Sequence, residues 1–246
     1  MKTVQLQKSF LKEVEDYCKQ NSDSAVTEKY KRYFREGYDS YGLSTEKWEY
    51  LNKEIYKKYK KEFSKDDVFT VVEKLSRESK YEKLSLAFQL LINNIKLLKR
   101  EDFPFIEKIF INAVHNWAHN DFACSRLLPI MIKKKIISLE NMASWRLSDF
   151  KYQRRAVPVT MIPLLKEPHN IKYSLDFIEC MMHDKERVVH QGLGWFLREA
   201  WKLHPVEVDE YLFKWRNVSA RLIFQYATEK MTKEQRERYR KDKIKK

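Results

Sequence analysis

The sequence predicts an all-α protein, a superhelical solenoid of stacked helical pairs. Apolar residues recur at helical spacing along nearly the whole chain. Only 4 glycines and 6 prolines punctuate 246 residues, too few for the tight turns of hairpins and well suited to long helices joined by short polar links. From about Asp67 onward, helical pairs start roughly every 31 to 37 residues, the period of helical repeat proteins. The repeats share no sharp consensus, so the period rests on helix length and spacing, and a globular helical bundle is the alternative.

Val4, Phe10, Leu11, Val14, Tyr17 and Cys18 mark an amphipathic first helix, and a second is expected over about 25–35. Gly37 to Gly42 breaks the pattern, and Ser44 or Thr45 can cap a helix whose apolar stripe is Trp48, Leu51, Ile55 and Tyr59. The tyrosines at 33, 38 and 41 can stack on bases or ribose, or close a core with their hydroxyls in water. Ser64 and Asp67 have capping-box spacing ahead of Val68, Val71, Val72 and Leu75. The most apolar helix, 81–98, carries Leu84, Ala87, Phe88, Leu91 and Ile95 on one side and a widening face on the other, so it is expected between neighbours. Pro104 sits where a first turn tolerates proline, and Ile106, Ile109 and Phe110 lead to Trp117. An apolar helix follows over 122–132 and a short one over 138–145. Ser148 or Asp149 can then cap the helix carrying Arg154 and Arg155, which Pro158 is expected to bend or interrupt. Further helices are expected over about 169–182, 186–203, 206–215 and 219–231. Thr232 and Gln235 form a second capping-box match, opening a charged helix that frays at Lys243 to Lys246.

Read in pairs, these helices are HEAT-like, in a single domain spanning 1–246. Residues 1–62 form an N-terminal helical cap and 232–246 a charged terminal helix or tail. Lys and Arg number 49 against 35 Asp and Glu, a net charge of +14, which makes polyanions the natural partners. A concave groove in such a solenoid suits duplex DNA held through its phosphates. Cys18, Cys124 and Cys180 are too far apart for a CxxC metal motif and odd in number, so a reduced, cytoplasmic setting is expected. No run is long enough for a membrane span and the first residues lack a signal-peptide core.

The unusual residues cluster in the run Asn116-Trp117-Ala118-His119-Asn120-Asp121. Trp117 can wall a site into which Asp121 points, four residues on; equally, Asp121 can be an N-cap before the apolar helix. Arg155 follows about one 35-residue unit later and Trp195 about one unit after that, so a fixed period brings them to similar places on one surface. Arginine suits bidentate phosphate binding, though Arg154 and Arg155 can also be a solvated face or ion-pair partners. Gly192 and Gly194 precede Trp195 and imply a close approach by a neighbouring helix or a ligand. His115 and His119 have the spacing of half a metal site, but no third ligand is evident. Nucleotide-binding glycine motifs and the GxSxG hydrolase motif are absent.

With these residues in view, the sequence resembles the AlkD-type DNA alkylation repair glycosylases, HEAT-like proteins that excise cationic N3- and N7-alkylated purines. The resemblance runs from the Tyr33 region through Met231. It is carried by Asn116-Trp117 with Asp121, by Arg155-Ala156, and by Gly194-Trp195 followed by Leu197-Arg198-Glu199. Tyr33, with Gly42 nine residues on, resembles the N-terminal DNA-contacting segment. Ala118, Arg154 and Pro158 depart from the pattern. The resemblance implies a catalytic trio of Asp121, Trp117 and Trp195, with Asp121 stabilising an oxocarbenium-like sugar and orienting water. It implies DNA contacts from Arg155, Arg154 and Tyr33, a duplex substrate bearing alkylated purines, and no flipped-base pocket. A monomer without metal or cofactor, associated with the nucleoid through DNA, completes the expectation. The competing class is a non-catalytic helical-repeat protein that binds DNA structure.

Overall fold

The computed structural model describes residues 2–167 and 170–242. The expected start of a helix near His169 and the fraying at Lys243 to Lys246 lie outside them. Among the described residues there is no strand, and the protein is all-α. No described helix is long and apolar enough to cross a membrane. The chain gathers into two compact units, one ending at Phe122 and the other beginning at Ala123.

The first unit opens with α1 (Lys2–Gln20) and α2 (Ser24–Lys31). Asp23 caps α2 by accepting from the backbone N–H groups of Ala25 and Val26. Ser44 caps α3 (Thr45–Tyr50), which runs through a π-helical turn, Leu51–Ile55, into α4 (Tyr56–Tyr59). The Ser64–Asp67 capping box is formed and opens α5 (Lys65–Ser76). Next come α6 (Tyr81–Asn93), α7 (Phe103–Ala113) and α8 (Trp117–Phe122). Helix α6 stops five residues short of the expected end. Asn94 turns its side-chain amide back onto the carbonyl of Leu90 and the hydroxyl of Tyr56, offering the backbone an alternative to another helical turn.

Val68, Val71, Val72 and Leu75 of α5 are buried, as are Leu84, Ala87, Phe88 and Leu91 of α6. Helix α5 packs against α1, α6 and α7, while α6 also meets α8. The first turn of α6 is buried too, although it holds Glu82 and Lys83. Glu82 accepts the backbone N–H groups of Tyr41, Gly42 and Leu43, and Lys83 pairs with Glu15 at 2.5 Å. Gly42 adopts φ +77, and a Cβ there would meet the carbonyl oxygen of Asp23 at 2.1 Å, so this turn requires glycine. Burial pushes the Glu15 carboxyl upward, but hydrogen bonds from Lys83, Lys19 and Tyr41 outweigh it and hold the group down at about 2.

The second unit begins with a π-helical turn, Ala123–Leu127, ahead of α9 (Leu128–Lys133). The wider turn relieves the clash that the Pro129 ring makes with the carbonyl four residues back in regular α geometry. After a 3-10 segment, Leu139–Leu147, come α10 (Lys151–Met161), α11 (Ile171–Ile178), α12 (Arg187–Trp201), α13 (Pro205–Trp215), α14 (Arg221–Ala227) and α15 (Lys233–Glu237). The second expected capping box, Thr232 with Gln235, is formed at α15. Helix α10 runs through Pro158 to Met161 without interruption. Neither Ser148 nor Asp149 caps it. Phe150 holds that position, and Ser148 instead accepts the Phe150 N–H and donates to Gln153.

Helix α12 packs against α10 on one side and α14 on the other, while α11 meets α13. Alternate helices thus form two layers. Those of the first layer open at Lys151, Arg187 and Arg221, 36 and 34 residues apart, within the period read from the sequence.

Candidate functional site

Trp117 opens α8, and the segment before it fixes its position. Asn116 caps the helix by accepting the N–H of His119 at 2.9 Å, so the cap that Asp121 was a candidate for belongs to Asn116. The Asn116 amide also reaches His119 Nδ1 at 3.0 Å, and His119 Nε2 meets the carbonyl oxygen of Tyr81 at 2.9 Å. Because a carbonyl only accepts, Nε2 carries the proton and Nδ1 accepts from Asn116. Burial lowers the His119 pKa to about 4, against a partial rise from the Tyr81 carbonyl, and the ring is neutral at neutral pH. Both ring nitrogens that matched half a metal site are therefore engaged within the fold at position 119. Among the described residues no group of three or more metal-ligating side chains is assembled.

The indole of Trp117 lies nearly parallel to Phe34, centroids 5.5 Å apart, and Phe34 stacks on Tyr38 at 4.5 Å. Tyr81 meets Phe34 edge-on and stacks on His119 at 4.4 Å. Trp117 Nε1 donates to the carbonyl oxygen of Tyr33 at 3.2 Å. Stacking and this hydrogen bond fix the ring while leaving the residue 39% exposed. Tyr33 thus contributes its backbone to the site. Its side chain is exposed under the guanidinium of Arg32, which donates to the phenol oxygen at 2.9 Å.

Asp121 is partly exposed inside α8, one turn after Trp117, so the two side chains leave neighbouring parts of one helical face. An open cavity of about 510 Å³ adjoins the aromatic array and is lined in part by Tyr38, Tyr81, Asn116 and His119. Neither Trp117 nor Asp121 lines it.

The second unit holds the remaining sequence-derived residues. Arg154 donates from Nε to Asp184 at 2.5 Å and from Nη1 to the carbonyl oxygen of Ser148 at 2.5 Å. Arg155 is 5% exposed, and its Nη1 donates to the carbonyl oxygen of Val188 in the first turn of α12 at 2.6 Å. Trp195 is partly exposed on α12. The glycines before it are explained by neighbouring helices. A Cβ at Gly192 would lie 3.3 Å from Arg155 Cγ in α10, and one at Gly194 would lie 2.6 Å from the carbonyl oxygen of Ile223 in α14. Two residues turn a helix by about 200°, so the pair serves opposite sides of α12.

The structure brings Trp117, Asp121 and the Tyr33 backbone together in the first unit, and Arg154, Arg155 and the glycines before Trp195 in the second. Sequence reasoning missed Phe34 and the roles of Asn116 and His119. The Asn-x-x-His spacing of a capping residue and its N3 partner was visible; nothing in the sequence marked Phe34.

Alternating helices stacked in layers, with a fixed, exposed indole and a carboxylate on one short helix, define an all-α repeat-type protein of strongly basic charge. Residues 15–231 match the DNA alkylation repair enzyme family, and the chain belongs to it. By structure it is similar to a protein from Enterococcus faecalis titled "Predicted DNA alkylation repair enzyme", with a TM-score of 0.76 and 16% identity over 87% of this chain and 98% of the other. At that identity the likeness speaks for the fold alone. No curated protein matches the sequence.

Proposed function

We propose that the protein is a monofunctional glycosylase that releases cationic N3- and N7-alkylated purines from duplex DNA by hydrolysing the N-glycosidic bond, as in base excision repair. The observation that carries this reading is the pairing on α8 of an exposed, rigidly held indole with a carboxylate one turn later. Family membership and the net charge of +14 support a DNA substrate.

Alkylation at N3 or N7 makes the base a good leaving group, so little acid catalysis is required. Asp121 stabilises the developing oxocarbenium-like sugar and orients the attacking water. Trp117 and Trp195 pack against the sugar-phosphate backbone at the lesion and add cation–π stabilisation. Arg155 is the proposed phosphate contact, Arg154 supports it from the same helix, and Tyr33 contributes to the strand-facing segment. The reaction uses no metal or cofactor, and the protein works as a cytoplasmic, DNA-associated monomer.

The test is release of 7-methylguanine from a defined duplex. Asp121→Asn is expected to lower release by at least about 100-fold while duplex affinity is retained. Full activity in that variant removes the carboxylate from the mechanism. No release by the wild type, with duplex binding intact, moves the protein to the non-catalytic DNA-structure binders.

A further inference from the structure

Phe34 has no part in the proposed chemistry, although its ring is the one that Trp117 lies against. Two successive residues hold the indole. Its Nε1 donates to the Tyr33 carbonyl at 3.2 Å, and its plane lies 11° from that of Phe34 with centroids 5.5 Å apart. The hydrogen bond alone would fix one edge and leave the ring free to swing, because the χ2 torsion of tryptophan has broad wells. The parallel ring removes that freedom, in the offset arrangement that aromatic pairs prefer. It also covers one face of the indole, so a sugar can approach only from the other.

Phe34 is held in turn. Tyr38 lies 12° from it at 4.5 Å, which makes a ladder of three near-parallel rings with Phe34 as the shared member. Tyr81 meets Phe34 edge-on and leans against Tyr38 at 5.2 Å. Beyond Tyr38 the segment is tied to the start of α6: the Tyr81 N–H donates to the Asp39 carbonyl at 2.7 Å, and Ser79 and Lys80 each donate to the Asp39 carboxylate at 2.5 Å. The ladder adds little to the core of the unit. Phe34 and Tyr38 are only half-buried, and α2, which leads into them, buries no side chain. An aliphatic side chain could fill such a place, but only a flat ring sets the plane of another.

We propose that Phe34 is a positioning residue for base excision: it fixes the plane of Trp117 so that the uncovered face of the indole meets the deoxyribose of the damaged nucleotide within reach of Asp121, one turn along α8. The inference rests on the reading of Trp117 and Asp121 as a glycosylase site. A displacement of about 1 Å can cost a reaction roughly 100-fold, so loss of the plane should appear in the rate of bond cleavage. Duplex affinity, which comes mainly from phosphate contacts, should be spared.

The test uses the full chain labelled with 5-fluorotryptophan, whose fluorine spectrum gives one line for each of the 6 tryptophans; Trp117→Phe identifies the Trp117 line. Phe34→Leu keeps an apolar side chain without a flat ring, and Phe34→Tyr keeps the ring. Phe34→Leu is expected to move the Trp117 line, leave the others in place and lower single-turnover release of 7-methylguanine roughly 10- to 100-fold, with duplex affinity changed by less than about threefold. Phe34→Tyr is expected to restore the line and to release base within about threefold of the wild-type rate. A wild-type rate in Phe34→Leu overturns the proposal, as does a Trp117 line that does not move. Rate and affinity falling together, with other tryptophan lines displaced, also overturns it and assigns Phe34 to the fold. No release by the wild type defeats the glycosylase reading and any catalytic use of the ladder with it, an outcome distinct from release that is indifferent to Phe34.

Discussion

The α8 segment of the first unit and the α10–α12 junction of the second hold their functional candidates in opposite ways. Around α8 the polar groups are spent on the backbone: Asn116 caps the helix, and His119 ties it to the start of α6. Trp117 and Asp121 keep solvent access on this fixed support. At the α10–α12 junction the charged side chains are themselves the support. Arg154 bridges two turns and Arg155 is buried against the first turn of α12. The contrast teaches that a residue type suited to a ligand says little about its work until its partners are known, and that arginine serves equally well as mortar.

The comparison breaks most sharply at Asp184. Replacing it with Ala leaves Arg154 charged, largely buried and without its carboxylate, an expected loss of about 3 kcal/mol in urea unfolding. An unchanged midpoint would show the pair to be dispensable, and the junction would then resemble α8 after all.

The His119 link gives a pH signature of similar size. Its folded pKa of about 4 lies below the unfolded value, so the unfolded chain takes up the proton first as pH falls. The stabilisation is complete above about pH 6.5 and is lost progressively down to about pH 4, up to roughly 3 kcal/mol. Stability measured against pH in wild type and His119→Gln should diverge across that window. Parallel curves would remove His119 from the α8 support.

Next in size are the two glycines. Gly194→Ala drives a methyl group toward the α14 backbone and is expected to cost about 1 to 3 kcal/mol. Gly192→Ala meets one tight contact, 3.3 Å from the Arg155 side chain, which needs to give by only a few tenths of an ångström, and is expected to cost less than about 1 kcal/mol. Equal effects would mean that α12 shifts to absorb either change.

The smallest expected effect is the most discriminating for the junction. If Arg155 contacts a phosphate, Arg155→Ala lowers the salt slope of duplex binding by roughly one. A loss of thermal stability with the slope unchanged assigns the residue to helix packing alone.

Helix identity was legible because apolar periodicity is a local property, and the capping boxes at Ser64 and Thr232 formed because they need only four residues. The misjudged points were non-local or competitive. Asn94 ended α6 with a bond to Tyr56, 38 residues away. Asn116 took the cap that the sequence also offered to Asp121. The Trp117-Asp121 spacing could be read directly, whereas the Phe34 stack joins segments more than 80 residues apart and leaves no periodic trace. The partners of Arg154 were hidden for the same reason, since Asp184 lies one helical pair later.

Gly192 and Gly194 carry a further consequence, for chain length. Inserting or deleting one residue between them would rotate the rest of α12 by about 100°, and a side chain would then face the α14 backbone in place of Gly194. Helix α12 is therefore a register key: its sequence can drift while its count cannot. Insertions and deletions in this unit must fall in the links between helices, and those links are where lineages of such proteins have room to alter the surface they offer without retuning the stack beneath it.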